Sequence, residues 1–369
     1  MIRALLDYEL SSNGINLKLV HKKRDPTTVT LTQEETTTYR RLMANDFGTP
    51  DVRFFFEPVH FSRFDPGMKN ISFCQWETDK ITAEDVGGSP YLNWARQFNL
   101  ADRVMTSCKS AAKAYVDSGV ETPVVVCPGP IFPHETNGEL PLSDITVNSS
   151  GRFIKKEERP MVVAYMAYWS PRKNISGFVE DTSLALNKKD ARLLLKISCK
   201  SGQEQGIIKE LNRIRERLKK PDMPPMCVVT EELTDEQIMK FFNSIDLYYA
   251  PSHGECYGMP VTFAAAAGVR CLVPDWSGPT EYLPERSQVG GHFSPAIGMT
   301  NYKWNEMWYD IDRGAAIKEL SKAAKEFHKD RQLFKARSEA DRNTVFEAAG
   351  WKKFAETVVE TIHEVANEK

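Results

Sequence analysis

Ser252-His253-Gly254-Glu255-Cys256-Tyr257-Gly258-Met259-Pro260 is the stretch on which the fold is read. Before it, Leu247-Tyr248-Tyr249-Ala250 is a short apolar run of strand length, stopped at Pro251. After it, Val261 to Ala267 reads as a helix ended by Gly268. Proline just inside the start and glycine just past the end is the usual asymmetry of a helix. The quoted stretch is therefore a glycine-containing turn from strand to helix. In such a turn the free backbone N–H groups and the positive end of the helix dipole face the crevice at the sheet's carboxyl edge, which suits a phosphate. Glu255 in the same turn suits a sugar, because a carboxylate accepts hydrogen bonds from hydroxyl groups. A plain structural turn is the other reading of this local pattern.

Working outward, the same rhythm repeats. Met161 to Tyr165, Leu193 to Ile197, Met226 to Val229 and Cys271 to Val273 are apolar runs of buried-strand length. Ile207 to Leu218 is a helix with a charged outer face, and Thr234 with Gln237 three residues on forms a capping box. Strand, helix, strand in this order predicts a parallel sheet covered on both faces. Long helices are predicted at Ala315 to Arg337 and Trp351 to Asn367.

The first half is less regular. Ile2 to Leu10 reads as an amphipathic helix closed by Asn13-Gly14, and Ile15 to Val20 alternates as a strand. Val52 to Phe56 and Ile71 to Cys74 are short apolar runs, Val124 to Cys127 reads as another strand, and Ala101 to Val104 leads into Ser107. Ser107 is placed to cap a helix that runs to Asp117 and closes at Gly119. His134 to Glu158 is polar and weakly patterned, as a linker would be.

Size and composition bound the function. The 369 residues suffice for two cores, and 41% hydrophobic with 27% charged residues is an ordinary globular composition. A net charge of -2 gives no global attraction to nucleic acid or anionic lipid. The start lacks a signal-peptide pattern, and no segment is long and apolar enough to span a bilayer. Seven dispersed cysteines, none in a C-x-x-C pair, read as small core residues in a reducing cytoplasm.

The run Gly254 to Pro260, followed by Ala264-Ala265-Ala266-Ala267-Gly268, strongly resembles the donor-site signature of GT4-type retaining glycosyltransferases, G-E-G-F-G-L-P-x-x-E-A-M-A-x-G. Arg172-Lys173-Asn174 resembles that family's basic motif for the donor diphosphate. Leu233 to Ser252 resembles the helix and strand that lead to the signature, and Gly278-Pro279-Thr280-Glu281-Tyr282 its G-G-x-x-E turn. Trp76-Glu77-Thr78-Asp79, Asp102 and Ser107 are similar to first-domain landmarks of some members. The resemblance covers the chain from about Asn70 onward and is most specific in the second half.

Three departures stand out. The family's second glutamate, eight residues after the first and usually on the ribose, is Phe263 here. Its side chain either packs in the core or lines the donor pocket; in the second case Glu281 is the nearest acidic candidate for the ribose. The arginine usually found five residues before the lysine is Tyr168, and Arg172 is the candidate replacement. The usual first strand with its glycine loop has no counterpart, so either the first domain is modified or the sequence begins late.

The resemblance implies an α/β fold of two Rossmann-like domains facing a cleft, the GT-B fold. The expected boundaries are 1–150 for an acceptor-side domain and 156–345 for a nucleotide-sugar domain, with 351–369 crossing back onto the first. It implies retaining, metal-independent sugar transfer in which Glu255 orients the sugar and Lys173 and Arg172 stabilise the leaving diphosphate. His253, Gly254, Tyr257, Gly258, Met259, Glu281 and Thr230 would bind the donor, and His60 would contact the sugar or serve the structure alone. His253 also has a reading as a residue that only shapes the loop. No cofactor is expected beyond the nucleotide sugar. The acceptor would be a polysaccharide or glycolipid precursor; a hydroxylated base in phage DNA is a second possibility, and a non-catalytic sugar-nucleotide binder a third. Asp310-Ile311-Asp312 spells the D-x-D of metal-dependent enzymes of another fold, but precedes a helical run, where Asp312 reads as an N-cap. Lys22-Lys23-Arg24 and Arg217-Leu218-Lys219-Lys220 read as solvated faces.

Overall fold

Val52–Phe56 (β1), Lys69–Phe73 (β2), Arg103–Thr106 (β3) and Val124–Val126 (β4) form one four-stranded sheet, parallel throughout and in sequence order. The coordinates are a computed structural model, which describes residues 5, 8, 10–20, 33–46, 48–132, 138–140, 159–299, 302 and 305–368. The helix expected over Ile2 to Leu10 lies almost wholly outside these residues, as does most of the 134–158 linker, and Lys22-Lys23-Arg24 lies entirely outside them. Among the described residues Ile15 to Val20 joins no sheet; Leu19 N donates to Leu42 O at the end of helix α1 (Gln33–Ala44), and Leu17 O accepts from Asn45 Nδ2 at 2.8 Å. Short helix α2 (Trp94–Phe98) and helix α3 (Lys109–Asp117) cover the sheet. The residue capping α3 is Cys108, not Ser107, whose hydroxyl instead accepts from Gln75 Nε2 at 3.1 Å.

Met161–Tyr168 (β5), Ala191–Ser198 (β6), Met226–Val229 (β7), Leu247–Tyr249 (β8), Arg270–Pro274 (β9) and Gln288–Val289 (β10) form a second parallel sheet in the order β10-β9-β8-β5-β6-β7. Nearly every residue of β5, β6 and β8 is buried, as continuous Val, Leu and Tyr runs require of strands covered on both faces. Helices α4 (Ile175–Ala185), α5 (Glu204–Leu218), α6 (Asp235–Asn243) and α7 (Met259–Ala266) supply that cover. Thr234 and Gln237 close the reciprocal capping box of α6. The chain winds outward from β5 through β6 to β7, then restarts beside β5 with β8. This is the doubly wound Rossmann order, and it leaves a crevice at the carboxyl ends of β5 and β8.

The run after β10 departs from the sequence reading. Gly291–Pro295 (β11) and Met307–Ile311 (β12) pair as an antiparallel ribbon. The single long helix expected from Ala315 to Arg337 is two, α8 (Arg313–Lys329) and α9 (Arg331–Ala349). Asp330 leaves the helical conformation and its side chain accepts from Leu333 N, so it ends one helix and caps the next. Helix α10 (Trp351–Asn367) lies on the first sheet, where Phe354, Ala355, Val358 and Val359 pack with Ile71, Phe73 and Met105. Backbone bonds between Ile131 and residues 349 and 351 join the two crossing segments. Lys220, expected on a solvated face, donates to the carbonyls of Ser183, Leu184 and Leu186 at 3.1, 3.1 and 2.6 Å. It thus satisfies carbonyls left open at the end of α4.

Candidate functional site

Two loops meet at the crevice between β5 and β8. The first leaves β5 and passes through the short 3-10 turn Pro171–Lys173 into α4. Asn174 fixes that turn. It adopts a left-handed conformation, its Oδ1 accepts from Gly177 N at 3.1 Å, and its Nδ2 donates to Pro251 O in the second loop at 3.1 Å. The second loop runs from Pro251 to Gly258, where a φ of 74° starts α7 with no side chain over its end. Tyr282 holds this end from below, donating to Tyr257 O at 2.7 Å.

The side chains of the two loops form a largely buried quartet with one first-domain residue. Lys173 Nζ bonds Glu255 Oε1, and Ser252 Oγ donates to the same oxygen at 2.7 Å. Arg172 Nη1 donates to Gly254 O at 2.6 Å and lies 3.5 Å from Glu255 Oε2. Its Nε lies 3.2 Å from Glu77 Oε1, close enough to pair but not aligned as a hydrogen bond. Glu77 Oε1 also accepts from Tyr302 OH at 2.8 Å. Two cations thus face two carboxylates. Burial works to raise the Glu255 carboxyl, but Lys173 and Arg172 outweigh it and hold the group below the ordinary range. Burial, with Arg172 alongside, lowers the Lys173 ammonium. Arg172 is driven up despite its burial, because Glu77 and Glu255 favour its charge.

The first domain is pressed against this loop. A Cβ at Gly254 would stand 2.0 Å from Glu77 O, so only glycine permits the approach. A Cβ at Gly129 would stand 2.8 Å from the Tyr257 ring. Glu281 Oε1 accepts from Lys109 N at 2.6 Å, at the start of α3. Cys256 Sγ lies 3.6 Å from Cys108 Sγ. The β11–β12 ribbon adds a strap: Asp79 N donates to Met307 O at 3.0 Å, Met307 N to Asp79 Oδ1 at 2.5 Å, and Tyr302 packs edge-on against Trp76.

Of the residues singled out in the sequence, Glu255, Lys173, Arg172 and Gly254 come together. Gly258 and Met259 begin α7, and Tyr257 is buried against Gly129 and Tyr282. Thr230 stands half-buried at the carboxyl end of β7, on the same sheet edge. His253 turns away from the quartet. Its ring stacks on Trp308 at 4.5 Å and its Nδ1 lies 2.6 Å from Asp310 Oδ1, while burial lowers its pKa below the ordinary value. It braces the strap, which favours the loop-shaping reading. Asp310 is thereby engaged, and Asp312 caps α8 through Ala315 N at 2.8 Å. His60 lies in the first domain with its ring against Phe61 and Trp94. Glu281 is occupied at α3. Phe263 is half-buried one turn into α7, with its ring 6.1 Å from Phe242, and packs on the second core. Sequence reasoning missed the pairing of Glu77 with Arg172, the Tyr302 contact and the strap. The only forward signal was the landmark Trp76-Glu77-Thr78-Asp79, which carries no hint of its partner.

Residues 149–295 match the family model described as glycosyl transferases group 1. No curated protein matches the chain in sequence. Among solved structures the chain is similar to Anabaena HepE in complex with UDP and glucose, at 15% identity and a TM-score of 0.53, over 81% of this chain and 72% of that one. It is similar to trehalose-6-phosphate synthase OtsA at 14% identity and a TM-score of 0.57, over 82% and 68%. Similarity to S. aureus TarM, at 11% identity and a TM-score of 0.53, covers 82% of this chain and 51% of that one. At these identities the likeness establishes the fold: two Rossmann-like domains of the GT-B kind, the second carrying the group 1 glycosyl transferase sequence pattern.

Proposed function

We propose that the protein is a retaining, GT4-type glycosyltransferase that moves a sugar from a nucleotide sugar to an acceptor hydroxyl. One observation carries the reading: Glu255 lies in the loop that starts α7, beside Lys173 and Arg172, at the point where the Rossmann strand order reverses. The solved relatives with UDP, UDP-glucose and UDP-2-fluoro glucose bound make uridine diphosphate sugars the first donors to try.

The transfer balances without a cofactor. The acceptor oxygen bonds to the anomeric carbon as the bond from that carbon to the diphosphate breaks. The electron pair stays on the diphosphate oxygen, and the acceptor proton passes to that leaving phosphate. Attack on the leaving-group face gives retention. Lys173, Arg172 and the start of α7 stabilise the growing negative charge, an electrostatic role. Glu255 accepts from sugar hydroxyls. Since Lys173 and Arg172 already face Glu255 and Glu77, donor binding must rearrange the quartet before the diphosphate gains their full charge. The acceptor class proposed is a polysaccharide or glycolipid precursor, with the nucleotide sugar as the sole co-substrate.

The test is incubation with a panel of nucleotide sugars, with and without EDTA, reading nucleoside diphosphate release and the anomeric configuration of the product. Release from at least one donor, unaffected by EDTA and with configuration kept, is the expected result. Binding without any turnover would replace this reading with that of a sugar-nucleotide binder, and inversion would remove the retaining assignment.

A further inference from the structure

Two rings on the outer face of the β11–β12 ribbon and a third from the loop after β9 touch one another. Trp276, Phe293 and Tyr309 have centroids 5.5, 6.1 and 5.3 Å apart. Phe293 is 48% exposed, and Trp276 and Tyr309 are half-buried. Strand alternation separates them from Trp308, which points to the opposite face, onto His253 and toward the first domain. Trp276 also reaches the quartet's loop: its Cζ3 lies 3.3 Å from where a Cβ of Gly254 would stand, the same point that is 2.0 Å from Glu77 O. The ring cluster therefore begins at the domain junction and runs outward from it.

We propose that this cluster is a binding platform for the acceptor, and that the acceptor is a neutral saccharide chain. The inference rests on the glycosyltransferase reading and adds the place and chemistry of the acceptor. Aromatic faces carry partial negative charge, and the C–H faces of a pyranose carry partial positive charge, so the two stack without needing an ion. The rim supplies acceptors for the hydroxyl groups. Asp275 is exposed beside the Tyr309 hydroxyl, while Asp310 lies on the other face of the ribbon with His253. Among the described residues of 275–277, 291–299 and 305–310 there is no lysine or arginine. An aromatic face with Asp275 at its rim and no cation among these described residues suits a neutral polyol better than a phosphate backbone. This charge argument decides against DNA as the occupant.

A glycan array bearing neutral and acidic oligosaccharides, with single- and double-stranded DNA as further arms, tests the platform on the full chain. The wild type should retain neutral oligosaccharides. Trp276→Ala and Phe293→Ala should each weaken retention by about tenfold, the loss of one good stacking contact. Trp276→Phe, which keeps a ring, should recover most of it, and Leu184→Ala, a change at an exposed leucine of α4, should change nothing. Equal retention by wild type and both alanine variants would overturn the platform. So would retention of DNA or acidic glycans alone, or no neutral-glycan retention by a wild type that binds UDP in calorimetry. Ring-dependent glycan retention by a wild type that binds no nucleoside diphosphate would keep the platform and sink the donor reading instead.

Discussion

Cys108 Sγ and Cys256 Sγ lie 3.6 Å apart, although 148 residues separate them in the chain and each belongs to a different domain. Cys256 sits in the loop that carries Glu255, and Cys108 stands at the start of α3. Both are buried. The bond from Cys256 lowers the Cys108 thiol, while burial raises that of Cys256. A disulfide needs the sulfurs to close to about 2.05 Å, a modest approach from this separation. Diamide should therefore oxidise the pair within one chain: the thiols give up two electrons and two protons, which reduce diamide to its hydrazine. Intact mass should fall by two hydrogens, sugar-donor turnover should drop because the domains are locked, and dithiothreitol should restore it. Persistence of both thiols at diamide concentrations that fully oxidise free glutathione would show that the pair never closes.

Lys173→Ala removes one of the two cations beside the leaving diphosphate. Turnover should fall by about 2 kcal/mol or more in activation free energy, the range for losing one preorganised electrostatic contact. Arg172 remains, so activity should be reduced and not abolished. Initial rates of nucleoside diphosphate release decide it, and unchanged kinetics would remove Lys173 from the site.

Glu281 was a candidate to hold the ribose in place of the missing glutamate. Its carboxylate instead accepts from Lys109 N at the start of α3, as a helix-capping acid does, and burial raises its pKa. Glu281→Gln keeps an oxygen to accept from Lys109 N and removes a charge that burial disfavours, so it should change stability by less than about 0.5 kcal/mol and leave nucleotide affinity unchanged. Thermal unfolding and calorimetry separate the two effects. Weaker nucleotide binding at unchanged stability would return Glu281 to the ribose.

Much of the second domain was legible because its strands are buried on both faces and its turns carry proline and glycine at fixed places. The strand, turn and helix between Leu247 and Gly268 were read in the right order, with ends off by one or two residues, and Arg172, Lys173 and Glu255 fall together because both loops leave adjacent strands at one sheet edge. The first domain was harder. Its strands are short and the outer two, β1 and β4, are half-buried, so Ile15 to Val20 could alternate like a strand and still join no sheet among the described residues. Asp330 was invisible as a helix break because it is neither glycine nor proline. The contacts across the domain junction, Glu77 with Arg172, Glu281 with Lys109 and Cys108 with Cys256, join residues 95 to 172 positions apart. No local pattern encodes such pairs.

Gly254→Ala tests how tightly the domains meet. A methyl group there would stand 2.0 Å from Glu77 O and 3.3 Å from the Trp276 ring, and backbone cannot yield as a flexible side chain would. The domains should part slightly, with lower turnover and a lower melting midpoint. Small-angle scattering should show a larger radius of gyration. An unchanged radius with full activity would mean that the loop, and not the domain junction, absorbs the methyl group.

The charge of Glu255 sets a pH dependence. Its carboxyl is held below the ordinary value of 4.5, with burial opposing and Lys173 and Arg172 prevailing. A lowered folded-state pKa means that ionised Glu255 contributes stability that is fully present above 4.5, where the unfolded chain is also ionised. That contribution is lost as pH falls through the lower folded-state value. Glu255→Gln leaves two buried cations with Glu77 alone, and removing one partner from a buried pair costs about 3 kcal/mol or more. At pH 7 the variant should therefore melt well below the wild type. The gap should stay constant down to pH 4.5 and then narrow, because only the wild type still has a proton to take up at this position. Melting midpoints of both proteins between about pH 3 and pH 7 would show the narrowing. A gap that stays constant through the acid range would mean that folding does not shift the Glu255 carboxyl, and that Lys173 and Arg172 do not hold its charge as the quartet requires.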